Sequence, residues 1–304
     1  MSGTDPAFTD PAFAEIAHHS AQDVLAHQRF AAARMDYVDA ALALYQGDAF
    51  LTRLLVEAAR HVVFTMIVCL DAGTDPDDPA TWATLAVLKQ QMAQYGLSSP
   101  RRIESLVALL VHNGFLQSIP SARDGRRRVL KPTAKMLSTD QDWLAASYLP
   151  LHVMFPDPGF GAVMRREATF HRALRRVATG FFGRGAQILG GNPDIMLFLE
   201  RDAGILILLR LVQMAGAPDG RAVELDCART GARFGISRTH VQKILQDAAR
   251  AGLVGLSGRG GRLVTLSPRV WRALDRFLAE SMSGHDMLFN LASRQVGRTI
   301  RAAS

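Results

Sequence analysis

The amino-acid sequence predicts a mainly α-helical chain with small β-hairpins, organised as two copies of one unit with further helices around them. Three observations lead there. Ser99 and Ser237 stand 138 positions apart, as do Gly114 and Gly252, so a common punctuation recurs along the chain. Between each serine and its glycine, apolar residues return at helical spacing. After each glycine come a short apolar run, a basic glycine-containing tip and a second apolar run, the pattern of a hairpin.

In chain order, residues 1–48 are acidic and Ala-rich with helical spacing from Phe13 to Tyr45, which predicts a helical arm packed on the other unit or on another chain. Up to about Pro11 a partly ordered extension is an equal reading. Residues 49–140 form the first unit. Leu51 to Leu70 reads as a long buried first helix and Thr81 to Tyr95 as the second. Gly96 supplies the positive φ of a sharp turn that Leu97 plugs into the core. Ser99 caps the next helix, Pro100 takes its first position, and Ile103, Leu106, Val107 and Leu110 share one stripe. Gly114 ends it in the left-handed conformation. Phe115 to Ile119, the tip from Ser121 to Arg128 and the run Val129-Leu130 make the hairpin, and Pro132-Thr133 opens another helix.

Residues 141–195 read as a connector. Trp143 to Phe155 is apolar and Pro156 to Gly159 breaks it. Gly161 to Phe182 reads as a basic helix carrying Arg165, Arg166, Arg172, Arg175 and Arg176, which either lies along phosphates or pairs with the acidic arm. Gly183 to Pro193 reads as a loop. The second unit, 196–282, repeats the first: a buried helix from Glu200 to Ala215, a polar approach from Ala217 to Glu224, and a helix capped by Asp226. A turn at Gly235-Ile236 leads to a Ser237-capped helix with Val241, Ile244, Leu245 and Ala248 on its inner stripe, and Gly252 stops it. The hairpin runs Leu253 to Leu256, a shorter tip from Ser257 to Arg262, and Leu263 to Leu266. Trp271 to Ile300, which includes the tail 283–304, reads as two helices broken near Gly284 and used for packing.

Helix, turn, helix, hairpin, helix is the order of a winged-helix domain, and it occurs twice. On these residues, Ser99 to Thr133 resembles the recognition helix and wing of MarR-type regulators, including the acidic-basic wing tip from Asp124 to Arg128. Ser237 to Leu266 resembles the same superfamily, with a Ser-Arg-Thr-His-Val start shared with other bacterial winged-helix regulators. The resemblance covers roughly two thirds of the chain at the level of topology and excludes the first 48 residues and the stretch from about 140 to 195. It implies double-stranded DNA as partner and transcriptional regulation as function. MarR-type subunits carry one such domain and dimerise. Two per chain departs from that, so the dimer interface does not carry over, a homodimer stays open, and the two units are expected to act as a pseudo-dimer.

The charge distribution agrees with a polyanionic partner. The net charge is +7, and it is clustered: residues 98–135 hold eight Lys or Arg against Glu104 and Asp124, and residues 229–272 hold nine against Asp247 alone. On a recognition helix the residues opposite the buried stripe face the major groove. That selects Arg101, Ser105 and His112 in the first unit, and Thr239, Gln242, Lys243, Gln246 and Arg250 in the second. Arg102 and Arg238 at the helix starts suit phosphates. Arg123, Arg126, Arg127 and Arg128, with Arg259 and Arg262, are wing residues placed for backbone or minor groove. Any single arginine is more often a solvated charge, and the set carries the reading. His240 is as suited to packing or capping as to base contact.

Two other classes fit tandem winged helices: a structural scaffold of the chromosome-segregation type, and a plasmid replication initiator. No phosphate loop, metal-spaced histidine set or nucleophile elbow is present in the sequence, so no catalytic residue, metal or cofactor is expected. His18-His19 reads as a solvated pair. Cys69 and Cys227, the only cysteines, predict neither a disulfide framework nor a thiolate cage. The acidic, Pro-containing start is unlike a signal peptide and the apolar runs are too short to span a bilayer, so the cytoplasm is the expected location. An effector molecule is not legible.

Overall fold

The computed structural model describes residues 16–45, 58–93, 98–121, 125 and 127–303, and among these it is mainly helical with two small antiparallel sheets. The expected features at Tyr95 to Leu97, Arg123, Asp124 and Arg126, and most of residues 46–57, lie outside the described residues.

The chain begins with α1 (Ala21–Ala26), closed by a Ser20–Asp23 capping box, and α2 (Phe30–Leu44). The first unit follows: α3 (Ala58–Gly73), α4 (Leu85–Ala93), α5 (Pro100–His112), β1 (Leu116–Pro120) and β2 (Arg128–Pro132). Then come α6 (Ala134–Met154), α7 (Gly161–Met164), α8 (Ala168–Ala178), α9 (Phe182–Gly191) and α10 (Pro193–Leu199). The second unit is α11 (Gly204–Ala215), β3 (Val223–Glu224), α12 (Cys227–Phe234), α13 (Arg238–Arg250), β4 (Val254–Ser257) and β5 (Leu263–Leu266), and α14 (Pro268–Ala303) closes the chain.

The repeat read from the sequence persists down to single hydrogen bonds. The Ser99 hydroxyl accepts from the Arg102 amide at 3.4 Å, and the Ser237 hydroxyl from the His240 amide at 3.1 Å. Ile103, Leu106, Val107 and Leu110 are buried on α5, as Val241, Ile244, Leu245 and Ala248 are on α13. Gly114 and Gly252 adopt φ of 73° and 71°. Around them Phe115 N donates to Leu110 O and Gly114 N to Val111 O, and Leu253 N donates to Ala248 O and Gly252 N to Ala249 O. Both helices thus end in one Schellman motif, in which a residue without Cβ takes the left-handed position. At the far end of the hairpins, Thr133 N donates to Phe115 O and Ser267 N to Leu253 O. Each hairpin also gains a third, short partner that the sequence pattern did not announce: β3 pairs with β5, and Thr84 bridges Val129.

Two apolar cores organise the packing. The smaller gathers Phe64, Ile67, Leu88, Met92, Leu110, Phe115 and Leu130 within the first unit. The larger joins the second unit to α1, α2, α6, α8, α10 and α14 through residues such as Leu42, Tyr148, Phe198, Leu208, Phe234 and Leu278. The expected acidic arm is therefore part of the second unit's core, where the buried Arg34 pairs with Asp275 at 2.8 Å and lies over the Trp271 ring.

Four expectations are corrected. Gly183 to Pro193 is mostly helix α9 and not a loop: its glycines lower helix propensity, but the buried Asn192 ties its end to Ile188 O at 2.7 Å and to Glu280 of α14 at 2.6 Å. The C-terminal region is one helix of 36 residues running through Gly284, held straight by Leu278, Met282 and Met287 packed on either side. The stretch from Gly161 to Phe182 is broken at Arg166, whose φ is 55°. His19 is not solvated: its Nδ1 meets the buried Asp286 carboxylate at 2.7 Å and its ring stacks on Phe155.

Candidate nucleic-acid interface

The outer face of α13 is a by-product of its inner one. Once Val241, Ile244, Leu245 and Ala248 turn inward, Thr239, Gln242, Lys243 and Gln246 share the opposite stripe at i, i+3, i+4 and i+7. Thr239, Lys243 and Gln246 are exposed and Gln242 is half-buried. Arg238 stands exposed at the helix start, and Arg259 at the tip of the second hairpin, where Gly258, Gly260 and Gly261 all adopt positive φ. Among the described residues, Lys243, Arg259 and Arg101 have no carboxylate partner.

Other selected residues are engaged inside the protein. Arg250 pairs with Asp247 one turn earlier, and Asp247 also holds Arg201 at 2.7 Å. Burial works against the charge on Asp247, yet these two guanidiniums hold its carboxyl below the ordinary range. Arg262 lies 3.2 Å from Glu224 across the sheet. In the first unit, Arg128 is turned along its own hairpin, donating to the Ser118 hydroxyl at 2.9 Å and to the Ser118 carbonyl. The Ser105 hydroxyl donates to Arg101 O at 3.0 Å. Arg101, Arg102, His112 and Arg127 are exposed.

The basic connector helix serves neither purpose weighed for it. Arg175 is buried and makes a two-pronged pair with the buried Asp140, at 2.7 and 2.6 Å, and His171 adds a 2.6 Å contact to the same carboxylate. Burial opposes ionisation of Asp140, but Arg175 foremost and His171 keep its carboxyl below the ordinary range. Arg166 binds Asp142, Arg165 binds Glu167, and Arg172 and Arg176 reach the carbonyls of Asp71 and Ala72 at the end of α3. Cations there complement the negative end of the helix dipole.

Residues that pose α13 were not singled out from the sequence. Gly231 is one: a Cβ there would meet Ile236 O at 2.6 Å, so glycine allows α12 to close on the turn before α13. Its position inside a helix was the available signal. Arg201, Asp202, Asp194 and Arg269 carry no such signal, because their partners lie far along the chain. No helix among the described residues is long and apolar enough to cross a membrane, and no group of three or more His, Cys, Asp or Glu among them is placed to hold a metal ion. No family model matches the chain, and neither a curated protein nor a solved structure matches it.

Proposed function

We propose that this chain is a DNA-binding transcriptional regulator made of two winged-helix units, working as an internal pseudo-dimer on double-stranded DNA. The observation that carries this reading is the outer stripe of α13, where Thr239, Gln242, Lys243 and Gln246 stand opposite a fully apolar inner stripe, beside the uncompensated Arg259. Amide and ammonium side chains at that spacing suit the donor and acceptor pattern of a major groove, and a hairpin-tip arginine suits phosphate or a narrow minor groove. The apolar inner stripe gives the helix a rigid back, which base contact requires.

The scaffold reading draws on a different observation: in the first unit Leu109 and Val111 of α5 and Ile119 of β1 are each about 40% exposed, which suits a protein partner better than DNA. One experiment separates the two. Genomic fragments are incubated with the full chain, the retained DNA is sequenced, and binding to the recovered fragment is followed against salt. A common motif, with log affinity falling by about 0.9 per phosphate neutralised for each log unit of salt, supports regulation. Retention without a common motif removes sequence-specific regulation.

A further inference from the structure

The turn between α10 and α11 is more constrained than a connection needs to be. Ala203 is fully buried at a φ of 58°, a left-handed conformation that a residue with a Cβ rarely adopts. Gly204 next to it has no room for a side chain, since a Cβ there would meet Phe198 O at 2.2 Å. The backbone from Phe198 to Gly204 is thus held in one shape, and the two residues before Ala203 use that shape to reach outward.

Arg201 crosses to Asp247 in the middle of α13 at 2.7 Å. Asp202 reaches in two directions. Its carbonyl oxygen lies 3.1 Å from Nε2 of His240, in the first turn of α13; a carbonyl offers only lone pairs, so the ring nitrogen is the donor. Its carboxylate lies 3.9 Å from Arg60 of α3, the first helix of the other unit. The far end of α13 is held from the same side, where Arg269 donates to Ala251 O at 3.3 Å while bound through two nitrogens to Asp194 of α10. One short segment behind α13 therefore meets its start and its middle, and the same segment is a contact between the two units.

Resting on the reading of α13 as the DNA-facing helix, we propose that the 201–203 turn is the joint through which the first unit sets the pose of α13, with His240 as a positioning residue and not a base reader. The amide of His240 is taken by the Ser237 hydroxyl and its ring by Asp202, so both its polar contacts face the protein. A small shift of Arg60 is passed on to the start of α13 through one residue, Asp202. Base contacts at Thr239 and Gln242 depend on that start being fixed.

The test uses the full chain without DNA and reads backbone amide exchange at residues 241–246 of α13. His240→Ala is expected to speed exchange there roughly fivefold, the scale of one lost hydrogen bond, and His240→Gln, which keeps an N–H donor, to recover most of it. Arg60→Ala is expected to speed exchange at the same amides by about two- to threefold, as for one exposed ion pair, although it lies in the other unit. Exchange in α6, measured in parallel, should not move in any variant. Unchanged α13 exchange in Arg60→Ala would overturn the joint, and unchanged exchange in His240→Ala would overturn the positioning role. On a fragment selected by the wild-type chain, His240→Ala should weaken binding severalfold with the salt slope intact. A slope reduced by about one phosphate would show that His240 touches DNA instead. If the wild-type chain selects no DNA, the DNA-binding reading fails on its own and the exchange results still decide the joint.

Discussion

On α13 the stripe facing away from the core is Thr239, Gln242, Lys243 and Gln246; shifted back by the 138-position repeat, the corresponding stripe on α5 is Arg101, Glu104, Ser105 and Ala108. The inner stripes match residue for residue in character, Ile103 with Val241 and Leu106 with Ile244 among them, and the caps match bond for bond. The physics of burial constrains the inner face and leaves the outer one free. In the first unit that freedom has placed a carboxylate, Glu104, paired with Lys89, where the second has Gln242. Beside it Leu109 and Val111 stand exposed. The units share a backbone and differ in what they present, which argues for one reader with a modified companion more than for two equal readers.

The first way to break that comparison is through the cores. Phe115 and Phe234 occupy the two separate apolar clusters and are both fully buried. Truncation of either to alanine is expected to cost about 3–5 kcal/mol. Urea unfolding followed by far-UV circular dichroism should show Phe115→Ala loosening the first unit in a separate early transition. Phe234→Ala should lower the main transition. A single shifted transition in both variants would mean that the units unfold as one body.

Acid tests the same separation. Burial, with the nearby Arg175, pushes His61 of α3 down to about 4, and burial pushes His285 of α14 down to about 4 as well, against an ordinary 6.5. The helix α11, counterpart of α3, carries no histidine. A buried histidine kept neutral favours the fold fully above its unfolded-state value. That stability is lost as pH falls from about 6.5 towards 4, because the unfolded chain takes up a proton that the folded chain refuses, on the order of 3 kcal/mol per histidine at most. His61→Gln is expected to remove part of the acid sensitivity of the first unit, and His285→Gln part of that of the larger core. Exchange protection measured from pH 7 to 4.5 that is identical in wild type and His61→Gln would show that this histidine has no part in it.

The outer faces are compared directly by binding. Gln242→Ala with Lys243→Ala is expected to cost about 2–3 kcal/mol on the selected fragment, and Arg101→Ala nearer 1 kcal/mol. Anisotropy titrations that give equal losses, each confined to one half of the site, would restore two equal readers.

What was legible in the sequence follows the range of the interactions involved. The α5 and α13 boundaries, their caps and their buried stripes rest on neighbours within four residues, and the spacing of Ser237, Val241, Ile244 and Gly252 displays them. The fate of the charges does not. Arg175 finds Asp140 across 35 positions, and His19 finds Asp286 across 267, so residues that count towards a basic or solvated surface turn out to be buried partners. The same holds for Arg128, Arg250 and Arg262, whose partners reduce the free charge of the candidate face. In α9 and at Gly284 tertiary packing outweighs the low helix propensity of glycine, which no local pattern reports. A pair such as Asp140 and Arg175 leaves no periodic trace because either residue alone looks like an ordinary surface charge.

The smallest expected effect concerns the caps. Ser99 and Ser237 hold the same position, and loss of such a hydroxyl costs typically about 1 kcal/mol, within a range of roughly 0.5–2. Two features make the first cap less critical. Its hydrogen bond to the Arg102 amide is 3.4 Å long, against 3.1 Å from Ser237 to the His240 amide. It is also followed by Pro100, whose ring sets the helical φ and removes one of the amides that needs a partner, whereas Arg238 does neither. Ser237→Ala is therefore expected to lower stability by about 1 kcal/mol and Ser99→Ala by about half of that. Urea titrations of both variants would resolve the order. Ser99→Ala as the more damaging change would mean that the first turn of α5 leans on its cap more than the proline suggests, and that the backbone likeness of the two units hides a difference in what stabilises them.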